Sequence, residues 1–234
     1  MITTYTDAVG SVATQIQNFP SEDGNSYLLM EIEGVLFRGN SFDDFEVLDY
    51  DTYSTEQLER FTFNKHLSYQ SKATIYDLCN CKLEVKIPIV IIKKSTQEEL
   101  ESVLNLSLEL GSPSANGGID HESAIFSLHL EQEYFQQEGD VFEVGLDGLK
   151  KTIGANYHFK NCYGCLYADY SPYGLGFFNS LMCFKQQKEA YIALSANFSK
   201  SDYFKVIDKG FGLVQETYSC PSFEIRLPKT GYRG

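Results

Sequence analysis

Alternation between apolar and polar positions dominates the first two-thirds of the chain. Leu83, Val85, Ile87, Ile89 and Ile91 fall two apart, as do Leu104, Leu106, Leu108 and Leu110, and then Phe126, Leu128 and Leu130. A period of two puts each set on one face of a strand, whereas helical spacing would scatter the leucines around an axis. The spacing therefore predicts strands despite leucine's preference for helices. Phe61, Phe63, Leu67 and Tyr69 predict another. Ahead of them, residues 3–17 read as a hairpin turning at Asp7-Ala8-Val9-Gly10, and 27–32 with 35–38 as a second, broken at Glu33-Gly34. Residues 42–48 add a short strand, and Ser54 and Gln57 have capping-box spacing for one helical turn. Pro88 predicts an edge position or a bulge for its run. Strands at short intervals with few helices between them are the pattern of an antiparallel β-sandwich.

The texture changes after Asp140. Leu146, Leu149 and Ile153 have helical spacing, so 144–153 is expected to be a helix, weakened by Gly145 and Gly148. Residues 177–184 and 191–194 read as paired strands. Residues 199–208 read as a helix with Phe204 and Ile207 on its buried side, and 211–218 and 223–226 as closing strands. The expected architecture is mainly β, α+β overall. An acidic antiparallel β-sandwich covers 1–143, and a smaller α+β cysteine-containing module covers 144–234, the two free to share one core.

Composition sharpens this picture. Of 234 residues, 43% are hydrophobic, enough for a real core. The net charge of −13 argues against a general nucleic-acid binder. It is unevenly placed: residues 1–155 carry −16 and residues 156–234 carry +3. Two solvated modules explain the split; so does an acidic body that meets a basic protein partner. The N-terminus lacks a cationic stretch followed by an apolar run, and no window approaches about 18 consecutive apolar residues. The expectation is a cytoplasmic protein without membrane contact, whose thiols stay reduced.

That compartment matters for the cysteines. Cys162 and Cys165 form a C-Y-G-C knuckle, Cys183 follows, and Cys220 precedes Pro221. Two thiolates on a knuckle plus two later ones match the need of a tetrahedral ion, so these four are the candidate ligands of a structural zinc. Reduced structural thiols and a redox pair at Cys162/Cys165 remain open beside it, and His158 is a candidate to replace one cysteine. Cys79 and Cys81 read as core residues. The acidic run of Asp43, Asp44, Glu46, Asp49 and Asp51 lacks the spacing of a calcium loop and reads as charged surface. No catalytic or dinucleotide motif is present.

The run 162–185, C-Y-G-C-L-Y-A-D-Y-S-P-Y-G-L-G-F-F-N-S-L-M-C-F-K, resembles an uncharacterised family of bacterial proteins, a domain of unknown function. So do Val214-Gln215-Glu216-Thr217-Tyr218-x-Cys220 and the terminal Gly231-Tyr232-Arg233-Gly234. The resemblance implies no established activity, and associates the chain with small acidic proteins of the toxin-immunity sort. The expected role is therefore non-enzymatic binding, immunity-like or as an adaptor. The alternative is an enzyme with its site near the DYSPYG segment, built on Asp169, Tyr170, Glu216 and Arg226 or Arg233.

Overall fold

The computed structural model describes all residues except 21–25, 69–71, 116, 173, 175, 195–198 and 234, and the side chain of Lys200. Tyr69, Tyr173 and Gly234 of the sequence patterns above thus lie outside the described residues. The elements run β1 (Ile2–Thr6), β2 (Ser11–Phe19), β3 (Tyr27–Ile32), β4 (Val35–Gly39), β5 (Glu46–Val47), α1 (Thr55–Leu58), β6 (Thr62–Leu67), β7 (Thr74–Cys79), β8 (Cys81–Lys93), β9 (Glu98–Leu110) and β10 (Glu122–Leu130). There follow β11 (Glu133–Gly139), α2 (Phe142–Ile153), β12 (Tyr157–Phe159), β13 (Ala168–Asp169), β14 (Leu181–Cys183), α3 (Lys188–Ala193), α4 (Lys200–Ile207) and β15 (Gly212–Val214).

The protein is mainly β and antiparallel. Twelve strands form a sheet in the order β11-β10-β9-β8-β1-β2-β3-β4-β5-β7-β6, with β12 also on β8. Strand β2 joins the two halves of this path: residues 11–15 pair with β1 and residues 16–19 with β3. A three-stranded sheet of β13, β14 and β15 lies apart. One continuous apolar core runs from Tyr5 to Val214 and includes residues of both sheets.

The period-two runs bury as expected. Leu83, Val85, Ile87, Ile89 and Ile91 of β8 are buried, while Glu84, Lys86 and Pro88 between them are exposed. Leu104, Leu106, Leu108 and Leu110 of β9 are buried beside them. Each such side chain contributes roughly 1.5–3 kcal/mol on burial, more than the modest helix preference of leucine. Helix α2 presents Phe142, Leu146, Leu149 and Ile153 to the core. The Phe142 ring meets Phe126 at 5.2 Å and Phe178 at 5.0 Å. The Ser54–Gln57 capping box opens α1.

Several local expectations are corrected. Pro88 sits on a central strand, not an edge: β8 pairs with β9 along its whole length. On its other side β1 covers residues 82–86 and β12 covers 91–93, so Pro88 falls in the gap between them. The missing N–H is tolerated there because no ladder needs it. Cys79 and Cys81 are buried, as the reading of core residues expects, but they fall on two strands. They end β7 and begin β8, with Asn80 between them at φ 51°. Residues 188–193 are helical, not a partner strand to β14, which pairs with β13 and β15 instead. The buried side of α4 is Tyr203 and Val206, one residue before Phe204 and Ile207. The expected closing strands shrink to β15 and an isolated bridge between Cys165 and Ile225.

Candidate functional site

Backbone pairing brings the four candidate cysteines into one neighbourhood. The knuckle turn is closed by Cys165 N donating to Cys162 O at 3.1 Å. Cys162 N donates to Tyr218 O and Tyr163 N to Glu216 O, both at 2.9 Å, which lays the knuckle against the chain leading to Cys220. Leu166 N donates to Glu224 O at 2.7 Å on the far side of that cysteine. Cys183 is the register partner of Ala168, three residues past the knuckle. Burial pushes the Cys162 thiol well up, and Cys220, Cys165 and Cys183 push it further. The Cys183 thiol is raised by burial first, then by Cys165 and Cys220. All six cysteines are free. Among the described residues, no three His, Cys, Asp or Glu side chains are drawn tightly enough together to hold a metal ion. His158 lines a different cavity, with Lys94 and Lys150.

The residues of the enzyme alternative also converge, but on themselves. Asp169 is fully buried. Its Oδ2 accepts from Tyr191 OH at 2.7 Å, Tyr232 N at 2.6 Å and Arg226 Nη2 at 3.4 Å. Its Oδ1 accepts from Tyr170 N at 3.0 Å and from Arg233 N and Nε, each at 3.3 Å. Six donors on two oxygens exceed the roughly four lone-pair sites of a carboxylate, so no acceptor remains for a substrate proton. Arg233 also stacks over the rings of Tyr163 at 4.6 Å and Tyr170 at 5.3 Å. Gly231, at φ 62°, lets the tail fold onto this hub, because any Cβ there would collide with Tyr191 and Asp169. Glu216, fully buried, accepts from Tyr170 OH at 3.1 Å and Asn179 N at 2.7 Å. Burial pushes its carboxyl up to about 7. The cluster ties the C-terminal tail to β13, and at its margin Arg226 and Tyr163 line a cavity.

The acidic run divides. Asp49 and Asp51 belong to an exposed 3-10 turn around residues 50–52. Asp43, Asp44 and Glu46 instead gather with two carboxylates from distant sequence. Glu46 of β5 is the register partner of Asp77 in β7. Burial raises Asp44 to about 6, with Asp43 and Asp77 adding to it. Burial likewise raises Asp77 to about 6; His66 at 3.3 Å pulls it down, and Glu46 and Asp43 push it up. Glu122 on β10 is raised to about 7 by burial, then by Asp43 and Asp140. Asp44, Glu46, Asp77 and His66 line one depression, and Arg38 borders it too, its guanidinium 4.5 Å over the Tyr27 ring. The run in the sequence signals this patch; Asp77 and Glu122 join through pairing that spacing does not reveal.

Among the described residues no helix is long and apolar enough to cross a membrane. No curated protein and no solved structure matches the chain. A family model does: it spans residues 2–168, from β1 through the whole large sheet and the C-Y-G-C knuckle to the first residue of β13, and the chain belongs to this family, a family of unknown function (DUF6304).

Proposed function

We propose that the protein acts by binding, non-enzymatically, and that its acidic sheet face receives a basic protein partner in an immunity-like or adaptor role. One observation carries this reading: Asp44, Glu46 and Asp77 line one depression of the sheet, with Glu46 and Asp77 in register, and burial first and Asp43 after it raise Asp44, Asp77 and nearby Glu122. Arg38 and His66 border the depression but leave Asp44 and Asp77 raised, so they do not neutralise the group fully. A basic surface laid over these carboxylates would relieve their repulsion and speed encounter. The test compares immobilised wild-type protein with an Asp43→Lys/Glu46→Lys form in extracts of the source cells. The wild type retains a basic protein, and charge reversal cuts its retention at least about tenfold while circular dichroism stays unchanged. Equal retention by both forms, or recovery of no basic protein, overturns the proposal.

The same proposal includes a structural zinc held by Cys162, Cys165, Cys183 and Cys220. The convergence of four free thiols on one neighbourhood supports it, and binding draws the sulfurs inward by side-chain rotation. Such an ion is closed, deprotonates its thiols and clamps the knuckle to the 216–226 segment. Elemental analysis is expected to give one zinc per chain, absent from Cys162→Ser. Metal-free protein with four titratable thiols in this region refutes the clamp.

A further inference from the structure

A cavity of about 290 Å³ opens between α2, β12 and the chain following Arg226. Its cationic lining is unusual for a chain of net charge −13. Lys94, Lys150 and Arg226 border it together with the imidazole of His158, and among the described residues no carboxylate lines it. Lys150 is half-buried, and among the described residues its ammonium has neither a hydrogen bond nor an ion pair. Arg226 is 5% exposed; its Nη atoms are taken by Ala168 O, Thr230 O, Asp169 and Tyr191, but its Nε–H is buried without a partner. Among the described residues the Lys94 ammonium donates only to the carbonyl of Gly154 at the end of α2. The remaining walls are largely apolar, with Ile153 and Phe159 among them.

We propose that this cavity binds a small organic anion, its carboxylate or phosphate facing Lys150 and Lys94 and its apolar body against Ile153 and Phe159. Arg226 is paired with Asp169, but the Lys150 and Lys94 ammonium groups have no carboxylate partner among the described residues, and a bound anion would supply one. The electrostatics agree. Burial lowers the Lys150 ammonium, with Arg233 and Arg226 lowering it further against Asp147 and Asp169. Burial, then Lys94 and Lys150, lowers His158. The cavity shares no lining residue with the acidic depression, so this proposal stands apart from the partner surface.

Calorimetric titration with benzoate, phenyl phosphate and neutral benzyl alcohol tests it on the full chain. At least one of the two anions binds the wild type, and which one binds tighter identifies the headgroup. Benzyl alcohol binds at least about tenfold more weakly, and Lys150→Met weakens the anion about tenfold or more, the range expected for a lost charge-assisted hydrogen bond. Among the described residues Lys150 holds no hydrogen-bond or ion-pair partner, so its replacement is expected not to lower the thermal midpoint, which separates lost binding from lost folding. Lys94→Met provides a second variant with the same expected direction. Failure of both anions to bind at millimolar concentration, equal binding of the alcohol, or undiminished anion binding by both variants overturns the proposal.

Discussion

Asp169 decides how the last third of the chain is held. Its two oxygens anchor Arg226, Arg233, Tyr191 and the backbone of Tyr232, residues 22 to 64 positions away. Asp169→Asn leaves the shape but removes the charge that two buried guanidinium groups face. Breaking a buried pair from one side costs about 3–5 kcal/mol, because the remaining charge stays uncompensated. Urea denaturation is expected to give a loss in that range, against less than about 0.5 kcal/mol for Asp51→Asn on the exposed turn. A small effect at Asp169 would mean the tail is not held through this hub. At this scale the sequence named the participants, since Asp169, Tyr170, Glu216, Arg226 and Arg233 all stood out as chemistry-bearing. It could not reveal that Asp169 is saturated. Saturation depends on which donors arrive from long range, and no spacing encodes that.

Elements were legible where a period is both clean and long. The runs of β8, β9 and β10 bury one face against a shared core, so their pattern survives in the residues. Strands β7 and β11 carry no such clean pattern. Strand β11 is a sheet edge with Tyr134 54% exposed and little apolar alternation to read. Helix α3 follows a 3-10 turn, and its short apolar stretch fits a strand equally well until tertiary packing decides. Helix α2 supports a sharper prediction. Gly145 faces the core, and a Cβ there would collide with the Phe126 ring. Gly145→Ala gains about 1 kcal/mol of helix propensity, whereas overpacking costs about 1–3 kcal/mol. The Phe126 ring is fully enclosed and also meets Phe142, so it has little room to yield. Overpacking should therefore win, and the urea midpoint of Gly145→Ala should fall. A rise would show that propensity wins and that α2 sits more loosely on β10 than this packing implies. Val144→Ala, on the exposed side of the same helix, serves as the reference.

For the whole molecule, the carboxylates set the pH response. Asp44 and Asp77 rise from 3.8 to about 6, and Glu122, Glu143 and Glu216 rise from 4.5 to about 7, burial being the first cause in each. An acid with a raised folded-state pKa binds its proton more tightly when folded. Its stabilising contribution is complete below the unfolded value and is lost as pH rises through the folded value. Asp7, lowered by Arg60 and two backbone N–H groups against its own burial, works the other way, but its contribution is lost only below its unfolded 3.8. His158, lowered by burial and by Lys94 and Lys150, also opposes the raised carboxylates, but between about pH 4.5 and 7 the five of them outweigh that one group. Glu216, fully buried, accounts alone for on the order of 3 kcal/mol. Growing negative charge on a chain already at −13 adds self-repulsion in the same direction. The thermal midpoint is accordingly expected to be highest near about pH 4.5 and to fall steadily to about pH 7.5, with a shallower fall in Glu216→Gln, which cannot ionise. A basic partner seated on Asp43 and its neighbours would pull Asp44, Asp77 and Glu122 back down and release their protons. The complex should then lose less stability than the free protein over that interval. A midpoint that is flat or rises between those pH values would mean that these carboxylates are better solvated than their burial implies, and would remove the electrostatic basis for the partner surface as well.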